Sequence, residues 1–130
     1  MADRGIVPFL MFSGQAAEAM GYYVSIFARS VRRYGPNAAG PEAKVFQASF
    51  SLQGQIFRCT DSRVQQDFTF TPAISFFVTL DSEHEAEEAF TKPARDGVVL
   101  LPLGSYPFSS KFGWVQDRFG ISRQLTVGAV

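Results

Sequence analysis

One cysteine and one histidine are all that 130 residues offer toward a zinc-type centre. Such a site needs three or four of these ligands, so that class of metal chemistry is excluded. The single Cys59 also excludes an intramolecular disulfide and suits a reducing compartment. An excess of one charge is missing too, since Lys plus Arg number 12 and Asp plus Glu number 12. With no global field to attract polyanions, neither nucleic acid nor an anionic membrane is an expected partner. No apolar run approaches the ~20 residues of a membrane span. The opening MADRGIVPF has no signal-peptide core. A soluble, cytoplasmic protein is the expectation.

Aromatic side chains are abundant: the chain is 46% hydrophobic and holds 14 Phe, enough to bury a substantial core in a single domain. Residues 6–12 form a short apolar run whose Pro8 suits an edge or first strand. Ser13 is placed to cap a helix over residues 14–27, where Ala16, Ala19, Met20, Tyr23 and Phe27 make one apolar stripe. Residues 31–34 read as a short strand and residues 35–41 as a loop. Alternation over residues 44–52, a Gln53-Gly54 turn and a return strand over residues 55–61 make a hairpin. The polar stretch 62–67 reads as a linker.

The second half follows the same order. A strand over residues 73–80 precedes Ser82-Glu83-His84-Glu85, which has the form of a capping box. Ala86, Ala89 and Phe90 stripe the helix that follows, and Pro93 is expected to end it early. Residues 98–101 form a strand, and residues 102–111 a loop long enough to act as a lid. Two strands then flank the turn Asp117-Arg118-Phe119-Gly120. In the last strand Ile121, Arg123, Leu125 and Val127 share one face, and Ser122, Gln124 and Thr126 the other. Two β-α-β-β-β units of this kind, at residues 6–61 and 72–127, would pair into an α+β fold with one curved eight-stranded sheet and its helices outside.

The segments PFLMFSGQAAEAMGYYVSIF (residues 8–27), FTFTPAISFFV (residues 68–78) and YPFSSKFGWVQDRFGISRQL (residues 106–125) resemble the PhnB-like family. This branch, labelled 3-demethylubiquinone-9 3-methyltransferase-like, belongs to the glyoxalase, bleomycin-resistance and extradiol-dioxygenase (vicinal oxygen chelate) superfamily. The resemblance covers nearly the whole chain. It implies paired modules cupped around a cleft and commonly a homodimer. It also implies a divalent metal held by His or Glu from four strands. The corresponding positions here are Val7, Ser75, Gln124 and either Arg58 or, after a one-residue shift, Cys59. None supplies a carboxylate or imidazole, so no metal and no other cofactor is expected. The methyltransferase label lacks the glycine-rich strand-to-helix turn that a nucleotide-like cofactor would require.

The residues expected to touch a ligand are Ser75, Gln124, Arg58, Cys59 and Trp114, and no catalytic residue is assigned. Ser75 and Gln124 occupy ligand positions facing the expected cleft, although they could instead bond each other. Arg58 suits a carboxylate or phosphate. Cys59 is either a cleft thiol or a packed, inert one. Trp114, with Tyr106, Phe108 and Phe112, could wall a small apolar ligand or pack the core. His84 belongs to an outer helix and faces solvent on this reading, Tyr22 and Tyr23 to core or interface, and Asp117 with Arg118 to the turn. The expected function is binding of a small hydrophobic or aromatic molecule without a catalytic metal. The alternatives are a glyoxalase- or dioxygenase-type metalloenzyme with degenerate ligands, or a methyltransferase of quinone-type substrates.

Overall fold

The computed structural model describes residues 5–27, 30–34 and 44–128. It divides into two units, Met1–Asp67 and Phe68–Val130, with the boundary at the end of the polar stretch expected to link the halves. The loop expected over residues 35–41 lies outside the described residues.

The first unit contains β1 (Phe9–Phe12), α1 (Ala16–Ile26), β2 (Val31–Tyr34), β3 (Ala48–Leu52) and β4 (Gln55–Asp61). Its sheet has the order β1-β4-β3-β2, with β1 parallel to β4 and the other neighbours antiparallel. Gln53 and Gly54 turn β3 into β4 with φ of 52° and 88°, both in the left-handed region, as a two-residue primed turn requires. The periodicity expected for the first helix is the one observed: Ala16, Ala19, Met20, Tyr23 and Phe27 are all buried. They meet the alternate residues Ala48, Phe50, Leu52, Phe57 and Cys59, which are buried too. The Phe50 and Phe57 rings stack at 5.1 Å, with Tyr23 5.7 Å from Phe50.

The cap of α1 corrects the expectation. Gln15 occupies the N-cap position without a side-chain bond, and Ser13 does not cap the helix. The acceptor comes from the end of β4 instead. Asp61 Oδ1 accepts the Gly14 and Ala16 N–H groups at 2.8 and 2.9 Å, and Oδ2 accepts that of Val45 at 2.9 Å. A buried carboxylate satisfies donors that the helix cannot pair internally, and its negative charge suits the helix N-terminus. Val45 also accepts the Asp61 N–H at 2.6 Å. It is thereby held beside Asp61, and β3 starts at Ala48, four residues later than the alternation implies.

The second unit contains β5 (Ser75–Leu80), α2 (Glu83–Asp96), β6 (Val98–Tyr106), β7 (Ser109–Gln116) and β8 (Ser122–Val127). The sheet order β5-β8-β7-β6 repeats the first, again with the first pair parallel and the others antiparallel. The eight strands thus form two four-stranded sheets, each with its own helix. Ser82 Oγ accepts the Glu85 N–H at 3.1 Å as a capping box predicts, while Glu85 Oε1 reaches the Asp81 N–H at 3.0 Å.

Two further expectations are corrected in this unit. Pro93 lies inside α2, which runs on to Asp96. Its ring falls on the buried stripe with Ala86 and Ala89, so packing offsets the hydrogen bond it removes. The lid loop over residues 102–111 does not exist. β6 continues to Tyr106, Pro107 and Phe108 make a short turn, and β7 starts at Ser109. Pro102 is tolerated because β6 is the edge strand of its sheet, and register shifts along its pairing with β7 absorb the irregularity. Gly113 seats α2 on β7: a Cβ there would stand 2.8 Å from the Phe90 ring.

The last turn is fixed by Asp117. Its Oδ1 accepts from the Phe119 and Ile121 N–H groups at 2.9 and 3.2 Å. Its Oδ2 pairs with the Arg123 guanidinium in a fully buried ion pair. Arg118, the next residue of the turn, pairs with Asp96 of α2 at 3.4 Å.

Candidate functional site

Because side chains alternate along a strand, each sheet has a face packed against its helix and a helix-distal face. On the helix-distal face of the second sheet, Gln124 of β8 has Phe77 of β5 as its partner on one side and Trp114 of β7 on the other. Leu101 of β6 continues this row beyond Trp114. Neighbouring strands lie about 4.8 Å apart, so the row holds an amide between two aromatic rings. Ser75 belongs to the same face of β5, and its Oγ accepts a 3.0 Å bond from Gln124 Nε2. Ser75, Gln124 and Trp114 are therefore brought together, with Ser75 and Gln124 bonded to each other.

The rest of this face is uncharged. Gln116 Nε2 donates to the Gly120 carbonyl at 3.0 Å, Ser122 Oγ to that of Ile74 at 3.2 Å, and Thr126 Oγ1 to Ser109 Oγ at 2.8 Å. The four strands carry only two charged side chains, Lys111 and Arg123. Both serve the helix side: Lys111 bridges Glu87 of α2 at 3.2 Å, and Arg123 pairs with Asp117. Phe77 is 54% exposed. Trp114 is half-buried, and its indole Nε1 is buried without an acceptor among the described residues. Phe112, paired with Thr126, joins Tyr106 and Phe108 in an aromatic cluster with centroid separations of 4.9 to 5.8 Å.

The first sheet has an equivalent row, in which Arg58 of β4 lies between Phe9 of β1 and Ser49 of β3. Arg58 is exposed on the helix-distal face. Cys59, one residue on, points the other way into the core under α1, at 1% exposure. Burial first, and then the Asp61 carboxylate, push its thiol up to about 12. The register thus separates the two alternatives: Arg58 lies on the helix-distal face of the first sheet, and Cys59 is a packed thiol on its other face. His84 is exposed on α2 and sits 3.3 Å from Glu88. Tyr22 and Tyr23 are core residues.

Sequence reasoning missed Phe77 as a member of the site. The signal was present, because Phe77 follows Ser75 by two residues in a strand and must share its face. Asp61 and the pairing of Asp117 with Arg123 had no local signal.

The positions where the resemblance implies metal ligands do not fit a divalent cation. Val7 precedes β1 and offers no donor, and Arg58 carries a positive charge. Gln124 directs its amide nitrogen to Ser75. Among the described residues, no three His, Cys, Asp or Glu side chains come together as a metal-holding group.

Comparison with known proteins places this geometry in a family. A family model described as 3-demethylubiquinone-9 3-methyltransferase matches residues 4–126. No curated protein matches the chain. Among solved structures, a putative 3-demethylubiquinone-9 3-methyltransferase, PhnB protein, from Bacillus cereus is 50% identical, with coverage of 96% of this chain and 100% of that one and a TM-score of 0.87. Protein PA1353 from Pseudomonas aeruginosa is 25% identical, covering 98% of this chain and 100% of that one, with a TM-score of 0.83. The fosfomycin resistance protein FosX from Listeria monocytogenes is 12% identical, covering 100% of this chain and 94% of that one, with a TM-score of 0.64, and shares the fold. The fold is α+β of the glyoxalase/bleomycin-resistance type. From these matches, the chain belongs to the PhnB-like family, described as 3-demethylubiquinone-9 3-methyltransferase.

Proposed function

We propose that this protein binds a small hydrophobic or aromatic molecule against the helix-distal face of its second sheet, without a catalytic metal. The observation that carries this reading is the row Phe77–Gln124–Trp114, an amide set between two aromatic side chains, with Phe77 54% exposed. Exposed aromatic surface beside a few fixed polar groups is the usual composition of a small-molecule site. The same reading takes the protein to be a cytoplasmic homodimer, which light scattering during gel filtration would test. The methyltransferase description that comes with the family would require S-adenosylmethionine. That ligand is a sulfonium cation, and the strands of the second sheet direct no acidic side chain to this face.

The lone Trp114 makes the test direct, because the fluorescence of the chain's single tryptophan originates at the proposed site. Titration with planar aromatic compounds should quench or shift that emission, and Gln124→Ala should weaken the response about tenfold. The reading fails if no compound changes either the emission or the melting temperature. It also fails if the purified protein holds stoichiometric divalent metal that Gln124→Ala removes. Binding of S-adenosylmethionine by calorimetry would favour the methyltransferase instead.

A further inference from the structure

The chemical class of that ligand can be read from two properties of the face. The first is charge. β5, β6, β7 and β8 carry only Lys111 and Arg123 as charged residues, and both are paired on the helix side, with Glu87 and Asp117. An ionised ligand laid against Ser75, Phe77, Gln124 and Trp114 would lose hydration and gain no counter-charge from this sheet. A neutral ligand has no such cost.

The second is hydrogen-bonding sense. The Trp114 indole N–H is a donor only, and it is buried with no acceptor among the described residues. A buried donor without an acceptor is destabilising, so an acceptor brought in by a bound molecule gains more there than one presented to water. Beside it, Gln124 Nε2 uses one N–H on Ser75 Oγ, which leaves its second N–H, the Ser75 hydroxyl hydrogen and, as an acceptor, its own Oε1. Around Phe77 and Trp114, then, the hydrogens left to offer belong to an indole, an amide and a hydroxyl.

Resting on the binding reading above, we infer that the ligand is a neutral planar ring bearing a carbonyl-type acceptor, which Trp114 Nε1–H engages while the ring packs in the Phe77–Gln124–Trp114 row. Trp114 is then the residue that determines specificity, and Phe77 supplies apolar contact without preference for the acceptor.

Three probes separate the elements of this inference. Coumarin is neutral and planar with a carbonyl acceptor, naphthalene is similar in size without one, and 2-naphthoate adds a charge. Affinities are measured by ligand-observed NMR titration of the native chain and of Trp114→Phe. The indole N–H resonance of the native protein is followed in parallel. Coumarin is expected to bind roughly tenfold more tightly than naphthalene and to move the indole resonance, with 2-naphthoate the weakest. Trp114→Phe should bring coumarin down to the level of naphthalene and leave naphthalene itself unchanged. Equal affinity for coumarin and naphthalene, with the indole resonance unmoved, overturns the inference but leaves aromatic binding intact. Binding of 2-naphthoate at least as tight as coumarin overturns the requirement for neutrality. If none of the three binds, both the inference and the binding reading fall.

Discussion

Replacing Asp61 should cost this protein more than replacing any side chain near the N-terminus of α1. The Asp61 carboxylate is 2% exposed and accepts three backbone N–H groups, from Gly14, Ala16 and Val45. In Asp61→Ala all three lose their partner. Gly14 is exposed and its N–H can turn to water, but Ala16 and Val45 are buried. Each buried orphan costs about 1–3 kcal/mol, so the expected loss from the two is about 2–6 kcal/mol. That is a large fraction of the ~5–15 kcal/mol that holds a typical domain together. Asp61→Asn keeps one acceptor oxygen but points an amide donor at another donor, and should lose about 2–3 kcal/mol. Ser13→Ala removes the residue that local sequence marks as the cap but that makes no cap bond, and should stay within about 0.5 kcal/mol. Urea unfolding followed by far-ultraviolet circular dichroism gives all three values, provided the slope is unchanged. The reasoning is refuted if Asp61→Ala loses under about 1 kcal/mol, or if Ser13→Ala loses more than Asp61→Ala.

Other outcomes follow from the same structure. Arg123→Met leaves the Asp117 carboxylate buried without its cation, so it should cost about 3–5 kcal/mol by urea unfolding, with partial recovery in Arg123→Met/Asp117→Asn. A neutral effect of the single change would contradict the buried pair. Gly113→Ala places a Cβ 2.8 Å from the Phe90 ring and should lower stability by about 1–3 kcal/mol. Shortening the obstacle in Gly113→Ala/Phe90→Leu should recover part of that loss, and strict additivity would count against the contact. With its thiol raised to about 12, Cys59 should be alkylated by iodoacetamide at pH 8 at least about 100-fold more slowly in the native protein than in urea. Equal rates would place the thiol outside the core.

Much of this architecture was legible because the periodic signals were local. The stripe on α1 and the alternation along β3 and β4 are written in the residues themselves, and the buried sets match them. The Gln53-Gly54 turn was legible for the same reason, since few dipeptides accept two left-handed residues. What failed involved partners distant in sequence. Ser13 is a reasonable cap until a carboxylate 45 residues away from Ala16 takes the task. Pro93 and Pro102 read as breakers, yet one is packed into the core and the other lies in an edge strand, contexts that propensity alone does not contain. At the site, the positions of Ser75 and Gln124 came from the resemblance. Their mutual bond was foreseen as an alternative, and the structure adopts it. The choice between Arg58 and Cys59 depended on a one-residue register, which only the pairing of β4 with β1 and β3 fixes.

The irregularity of β6 has a consequence for how the chain behaves in a crowd of its own copies. As the edge of its sheet, this strand leaves Val98, Val99 and Leu101 exposed, an apolar margin of the sort that recruits a strand from another molecule. Recruitment needs an unbroken series of backbone donors and acceptors at regular spacing. Pro102 removes one donor from that series, and the register shifts on either side of it break the spacing. The defects that made this segment read as a loop are thus what keep a sticky margin from seeding intermolecular β-structure.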